Sequence, residues 1–288
     1  MNPKVSVILP NFNHGPYLNQ RIDSILRQTF RDFEIIILDD ASTDNSLEVL
    51  EALSNHPKVS HFIINKENSG SPFKQWKKGL ILAKGDYIWI AESDDYCEVN
   101  FLQSHLKHID KADVSVAQTR VVSNVKQSGT LLNHPVFRKA GEVTLNSDQF
   151  VQCPITNVSA ILFKRIDLDR LRSSQFDSYK LIGDLTFYYD FFNHNRISYN
   201  EEAISYYRQL GLSNLRNRGF KYYNQYFNEH IRFIKYVRNQ EGGRLNHLVK
   251  PYIRRHFYKI RHRNTLRQKL SLWFALLYIK YKINMLIA

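Results

Sequence analysis

Cysteine is scarce: Cys97 and Cys153 are the two in 288 residues. Two isolated thiols build neither a disulfide framework nor a metal-ligand spacing, and they point to a reducing compartment. Long apolar stretches are missing as well. The uncharged run Leu270–Ile279 has ten residues, about half of the roughly 20 that a membrane-spanning helix needs. Met1-Asn2-Pro3-Lys4 leads straight into an apolar run, so a cleaved secretory leader is not expected. With 11 Gly, 8 Pro and 43% hydrophobic residues, neither low complexity nor disorder fits the composition. The length suits one large α/β domain with an appendage.

Acids are rare in one segment only. From Ile231 to Ala288 there are fourteen Lys and Arg against a single acid, Glu241, so this tail carries the whole net charge of +13. The residues before it are electrically balanced.

Short β-branched runs alternate with helical patterns over the first 120 residues. Val5–Leu9, Glu34–Leu38, Val59–Ile64, Tyr87–Ala91 and Val114–Ala117 read as strands. Consecutive apolar positions within them fit a parallel sheet covered on both faces. Leu18, Ile22, Ile25 and Leu26 recur at helical spacing, as do Leu47, Leu50 and Leu53, the latter behind Asp44 as an expected N-cap. This alternation predicts a doubly wound α/β sheet. Further strands are expected at Val158–Phe163 and Ala203–Arg208, with a helix over Asp184–His194. Helical spacing of Phe220, Tyr223, Phe227, Ile231 and Ile234 opens an all-helical tail. The expected organisation is one α/β domain over 1–215, with halves 1–120 and 121–215, and a basic helical tail over 216–288.

Open parallel sheets bind ligands outside the carboxyl ends of their strands. Three polar clusters follow strand-like runs: Pro10-Asn11-Phe12-Asn13, Asp39-Asp40-Ala41-Ser42-Thr43-Asp44 and Glu92-Ser93-Asp94-Asp95. One Asp-Asp pair is an ordinary helix-capping pattern. Two on the same edge are costly unless a cation or ligand hydrogen bonds offset their repulsion. Hard oxygen donors favour Mg²⁺ or Mn²⁺ over zinc, and such ions bridge carboxylates to substrate phosphates. Trp76, Trp89 and Tyr188-Tyr189 read as core rather than sugar-stacking residues. His105 and His108, on an expected surface helix, do not read as a metal site.

The ordered set VSVILPNFN (Val5–Asn13), FEIIILDDASTDNS (Phe33–Ser46), NSGSPFKQWKKGLILAKGDYIWIAESDD (Asn68–Asp95) and the later Gly183-Asp184 resembles the family 2 glycosyltransferases of GT-A fold, over roughly residues 4 to 215. The resemblance implies an inverting transfer of a sugar from a nucleoside diphosphate, most readily UDP, to a hydroxyl of a glycan or lipid-linked acceptor in surface polysaccharide synthesis. By position, Pro10, Asn11 and Asn13 would lie against the base and ribose, and Asp40 would accept from the uracil ring. Lys74 or Lys77 would approach base or phosphate. Asp94 and Asp95 would serve ribose and metal, Mg²⁺ or Mn²⁺. Asp184 is the implied catalytic base, with Asp190 its rival. Relatives often carry a histidine where this chain has Leu210, which cannot coordinate; Arg208, two positions earlier, is the candidate phosphate contact. The competing readings are a non-catalytic sugar-nucleotide or membrane-binding module of the same fold, and a nucleotidyltransferase. The latter normally has a basic, Gly-rich loop after the first strand, which Asn11-Phe12-Asn13-His14 is not.

The tail interleaves Arg and Lys with aromatic and aliphatic residues from Arg254 to Lys269 and ends in LSLWFALLYI. This pattern predicts a helix lying in a membrane interface, with Trp273, Phe274 and Leu277 inserted and cations facing anionic headgroups. A helix contacting another subunit of a homo-oligomer is the competing reading. Nucleic acid is not the expected partner, because the acidic edge repels phosphates unless a metal intervenes. The expected place is cytoplasmic, peripheral on the inner face of the cell membrane.

Overall fold

The computed structural model describes residues 2–123, 126–132, 136–137, 139–209 and 219–287. The first half runs β1 (Val5–Asn11), α1 (Gly15–Leu26), β2 (Phe33–Asp39), α2 (Ser46–Glu51), β3 (Val59–Ile64), α3 (Pro72–Leu82), β4 (Tyr87–Ile90), β5 (Tyr96–Cys97), α4 (Phe101–Ile109) and β6 (Val114–Ser123). The second continues with β7 (Lys126–Leu131), β8 (Gly141–Thr144), α5 (Ser147–Phe150), β9 (Ile161–Lys164), α6 (Leu168–Ser173), α7 (Gly183–Phe192) and β10 (Arg196–Arg208). Among the described residues the tail is helical: Phe220–Gln240, Asn246–Arg263, the single turn Leu266–Lys269 and Leu272–Leu286.

All ten strands share one mixed sheet, ordered β3-β2-β1-β4-β9-β6-β10-β5, with β7 on β6 and β8 on β10. β1, β2, β3 and β4 are parallel, and β9 is antiparallel to both β4 and β6. The predicted strands are present, because their side chains alternate between two covered faces. Ile8, Ile36, Leu38, Ile88 and Ile90 enter one core with α3, α7 and the tail helices. Val5, Val7, Leu9, Ile35, Ile37 and Trp89 enter the other with α1 and α4. This is the expected doubly wound α/β architecture with a helical carboxyl-terminal extension.

Several elements differ from expectation. β10 begins at Arg196, seven residues before the expected strand at Ala203, because its ladder with β6 is broken by a bulge between Asn200 and Ile204. The charged pair Glu201-Glu202 in that bulge hides the strand's period. Asn200 Oδ1 accepts from the backbone N–H of Glu202 at 2.9 Å, holding the bulge. Residues 158–160 form a 3₁₀ turn and β9 begins only at Ile161. Asp44 is not the α2 N-cap; Asn45 is, and Asp44 instead accepts from the N–H groups of Gly15 and Ser46, each at 2.9 Å, joining the starts of α1 and α2. His105 does not face solvent: it is fully buried, with Nδ1 2.7 Å from Ser115 Oγ.

The tail packs into the same core. Tyr223, Phe227, Phe233, Ile253, Phe257, Phe274 and Leu277 are buried together with Phe187 and Phe192 of α7. Phe274 and Leu277 therefore cannot insert into a membrane, and Trp273 is stacked on Tyr223. The last helix shows the opposite face outward. Leu272, Leu276, Ile279, Ile283 and Leu286 are each at least half exposed, at spacings of four and three residues that align them in one stripe. Among the described residues no helix is long and apolar enough to cross a membrane. Leu210 and the expected boundary at 215 lie outside the described residues.

Candidate active site

The three polar clusters meet at one sheet edge. The register aligns Asn11 of β1 with Asp39 of β2 and Ile8 of β1 with Ile90 of β4, so the loops that follow leave the sheet side by side. They line a cleft of about 540 Å³ that includes Pro10, Asn11, Phe12, His14, Asp40, Trp76, Glu92, Asp94, Asp95, Asp184, Tyr188 and Tyr207.

At one end the two adjacent aspartates divide the work. Asp39 is fully buried and accepts from Ser42 N–H at 2.8 Å, Ser42 Oγ at 2.6 Å and Asn11 Nδ2 at 2.8 Å, so it fixes the loop. Asp40 faces the cleft. Its Oδ1 accepts from Asn65 Nδ2, Ser69 N–H and Gln75 Nε2, while among the described residues Oδ2 accepts only from Ser69 Oγ, at 2.8 Å, which leaves acceptor capacity in the cleft that the half-exposed Phe12 also lines. Asn11 Oδ1 is buried without a partner among the described residues.

The acids that follow β4 line the same cleft. Burial, with Asp94 beside it, pushes the Glu92 carboxyl up to about 8, although Trp76 Nε1 donates to it at 2.5 Å. Burial also raises Asp94 and Asp95, and the proximity of Asp94 adds to the effect on Asp95. The guanidinium of Arg21, fully buried on α1, lies over the Trp89 ring at 4.9 Å and donates from Nε to the Glu92 carbonyl at 2.9 Å. Its two Nη atoms have no partner among the described residues. Two cations, Arg21 and Arg208, against three crowded acids leave the cluster short of positive charge.

A divalent ion fits this donor set. The oxygens are hard, the carboxyls are held high by crowding and burial, and no neighbouring side chain among the described residues donates to Asp94. No group of three or more His, Cys, Asp or Glu is placed to hold a metal by itself among the described residues. An ion here would need substrate phosphates as ligands beside one or two of these carboxylates.

Asp184 lines the cleft as well. Gly183 precedes it because a Cβ there would meet Phe176 O at 2.4 Å and the Phe73 ring at 2.5 Å, so only glycine lets the start of α7 lie against α3. Burial, with Glu229 nearby, raises the Asp184 carboxyl to about 6. Asp190 does not line the cleft; it accepts from Ser174 Oγ and from Tyr236 Oη on the first tail helix.

Glu229, on the same tail helix, is a residue that sequence reasoning missed. Only 3% exposed, it accepts from the N–H groups of Lys180 at 2.8 Å, Leu181 at 2.9 Å and Ile182 at 3.2 Å, the three residues before Gly183. Arg21 and His14 were missed too. The His14 ring, lowered by burial, has Nδ1 2.8 Å from Ser93 Oγ. The only signal for Glu229 was its isolation, an acid among apolar residues at helical spacing.

Four expected contacts stand elsewhere. Lys77 is drawn to Asp177 at 2.9 Å and to the Ser174 carbonyl at 3.1 Å, and Lys74 donates to the Ser69 carbonyl at 3.0 Å; neither lines the cleft. Asn13 turns its Oδ1 to Thr43 N–H at 2.7 Å and clasps the β1 and β2 loops together. Arg208 is held beside the cleft: Nε donates to the Asp94 carbonyl at 2.8 Å, its own N–H donates to Asp95 Oδ1 at 2.9 Å, and its guanidinium lies 4.6 Å over Tyr17. Trp76 and Tyr188 are core residues, as expected, that also present an edge to the cleft.

A family model described as glycosyl transferase family 2 matches residues 6–171, more than half of the chain. The chain belongs to glycosyl transferase family 2. Among similar curated family members, glycosyltransferase GlyG of Streptococcus pneumoniae serotype 4 is 28% identical over 184 residues, 58% of this chain and 60% of that protein. The poly(ribitol-phosphate) beta-N-acetylglucosaminyltransferase TarS of Staphylococcus aureus is 29% identical over 71% of this chain and 35% of its own length. The chondroitin synthase of Pasteurella multocida is 35% identical over 48% of this chain and 14% of its own. The chain thus spans less than two thirds of the length of each of these relatives. In structure it is similar to S. aureus TarS 1–349 in complex with UDP, with a TM-score of 0.69, 22% identity, and coverage of 98% of this chain and 80% of that one. TarS 1–349 in complex with UDP-GlcNAc gives a TM-score of 0.62 at 24% identity over 78% of this chain and 64% of that one. The fold is GT-A, and the likeness extends through the helical tail.

Proposed function

We propose that this family 2 chain transfers a sugar, with inversion, from a UDP-sugar to a hydroxyl of a glycan or lipid-linked acceptor in surface polysaccharide synthesis. One observation carries the reading: a single cleft is lined by Phe12, Asp40, Asp94, Asp95 and a buried, raised-pKa Asp184. The solved TarS complexes with UDP and UDP-GlcNAc support a uridine donor.

In this reading Phe12 stacks on the base, and Asp40 accepts from the ring N–H through its underused Oδ2. Asp94 and Asp95 face the ribose and diphosphate and would hold Mg²⁺ or Mn²⁺, which would supply positive charge to the departing diphosphate. Asp184 takes the acceptor hydroxyl proton while that oxygen bonds to the anomeric carbon. The anomeric bond to the diphosphate breaks, and UDP leaves with the electron pair from the opposite face. Trp76 and Tyr188 wall the cleft and exclude water. Arg208 holds the Asp94-Asp95 turn rather than a phosphate.

The exposed stripe from Leu272 to Leu286, flanked by Arg267, Lys269 and Lys282, fits an anionic membrane surface. This supports a peripheral enzyme on the cytoplasmic face of the cell membrane. Asp184→Asn tests the assignment: UDP affinity should stay within about twofold while turnover falls about 10³-fold or more. Unchanged turnover in that variant contradicts the reading.

A further inference from the structure

Behind Asp184, away from the nucleotide end, lies a second cavity of about 220 Å³ that the tail helices form with the catalytic half. Asp184 lines both cavities. The far wall of the second one is cationic: Arg255 and Lys259 project from one helix, one turn apart, with His256 between them. Arg255 leans over the Tyr252 ring at 5.4 Å and donates to Gln152. Among the described residues neither cation has a carboxylate ion-pair partner. The crowding is strong enough that burial, Arg255 and Arg263 together lower the Lys259 ammonium.

His256 gives a second, independent sign. It is 5% exposed, and burial together with His230 and the two cations keeps it neutral. Its Nδ1 lies 2.9 Å from Tyr226 Oη. With that hydroxyl donating, the proton sits on Nε2, which is buried and has no partner among the described residues, while the His256 ring forms part of the cavity lining. His230, stacked on His256 at 3.5 Å and bonded to Tyr252 Oη at 2.7 Å, fixes the ring. Two cations without carboxylate partners and a neutral imidazole with an orphaned nitrogen thus border one cavity.

We propose that this cavity receives a phosphate group of the acceptor, held by Arg255, Lys259 and His256 Nε2–H, so that a hydroxyl on a neighbouring carbon reaches Asp184. The proposal rests on Asp184 being the base and names the acceptor class for that reading. The phosphate belongs either to a soluble polyol-phosphate chain or to a lipid-linked phosphate, and the chemistry recognised is the same.

The test is calorimetric titration of the full chain with a glycerol-phosphate oligomer, with dodecyl phosphate, and with glycerol as the uncharged control. Each is run on the wild type and on the Arg255→Gln/Lys259→Gln double variant, whose altered side chains are solvent-accessible. The wild type should bind at least one phosphate probe and not glycerol. The double variant should bind about 100-fold more weakly, on the order of tenfold for each charge-assisted hydrogen bond that the substitutions remove. Oligomer binding alone identifies a polyol-phosphate chain, and dodecyl phosphate binding alone a lipid-linked one. Binding of neither probe, or equal binding by the variant, overturns the proposal. UDP titration in parallel separates the two readings, since UDP affinity should be unchanged in the variant. Loss of UDP binding by the wild type would strike the donor site instead.

Discussion

Glu229→Gln is the substitution in which the tail's part in the active site can be read most directly. The carboxylate accepts from three successive backbone N–H groups and from Gln225 Nε2 at 2.6 Å. Glutamine is nearly isosteric but presents one oxygen and one NH₂. If the oxygen takes the place of Oε1, Leu181 and Ile182 lose their acceptor; if it takes the place of Oε2, Lys180 and Gln225 do. Two donors are stranded either way, at about 1–3 kcal/mol each, so the cost is about 2–6 kcal/mol. For a domain of this size that lowers Tm by roughly 5–15 °C. The loop so released leads directly into Gly183-Asp184, and a shift of about 1 Å in a catalytic group costs on the order of 10²-fold in rate. Calorimetry and initial-rate kinetics should show a fall in Tm and a fall in kcat with UDP affinity kept. A third reading separates this from loss of stability alone. Glu229 raises the Asp184 pKa, so its neutralisation should move the midpoint of the rate profile to lower pH. A Tm within about 1 °C of wild type together with an unmoved profile would refute the reasoning.

Transfer should rise with pH and level off through a midpoint at about 6, since Asp184 works only when ionised and its carboxyl is raised from 3.8 to about 6; a pH-rate series checks it. The same shift acts the other way on stability. The Asp184 contribution, and that of Glu92 with its carboxyl raised from 4.5 to about 8, is complete below about pH 4 and lost as pH rises through those values. Melting of the metal-free protein should therefore show a Tm that declines across that window. Ala41 sits at φ 60 in the loop after β2, a left-handed conformation costly for alanine, so Ala41→Gly should stabilise by about 0.5–1 kcal/mol, measured by urea unfolding. Leu276→Gln with Ile279→Gln should sharply weaken sedimentation with phosphatidylglycerol vesicles while leaving Tm nearly unchanged, because both side chains are more than half exposed.

The parts of the molecule legible in the sequence were those governed by local period. β1, β2 and β4 could be read because consecutive apolar residues serve two cores, and the clusters at their ends followed from the rule that loops converge at carboxyl edges. β10 was half hidden because its bulge interrupts the alternation at Glu201-Glu202. The tail's helices were legible at Phe220 and after, but the outward face of the last one was not. Trp273 and Phe274 look more membrane-seeking than Leu276 and Ile279 until the aromatic rings are seen filling the core against Tyr223 and Phe257. Lys77 and Asn13 illustrate the remaining gap. Each carries a side chain suited to the nucleotide, yet a nearer partner, Asp177 or the Thr43 backbone, takes it. Glu229 and Arg21 act across long sequence separations, and no local pattern marks them.

The central claim is that the cleft is a metal-assisted UDP site with its base at Asp184, and titration with UDP, with and without Mn²⁺, tests it most directly. The wild type and Asp184→Asn should both bind UDP, each at least about tenfold more tightly with Mn²⁺, and Asp94→Asn should lose that gain. Binding that ignores the metal in every variant, or no binding of UDP at all, would contradict the account.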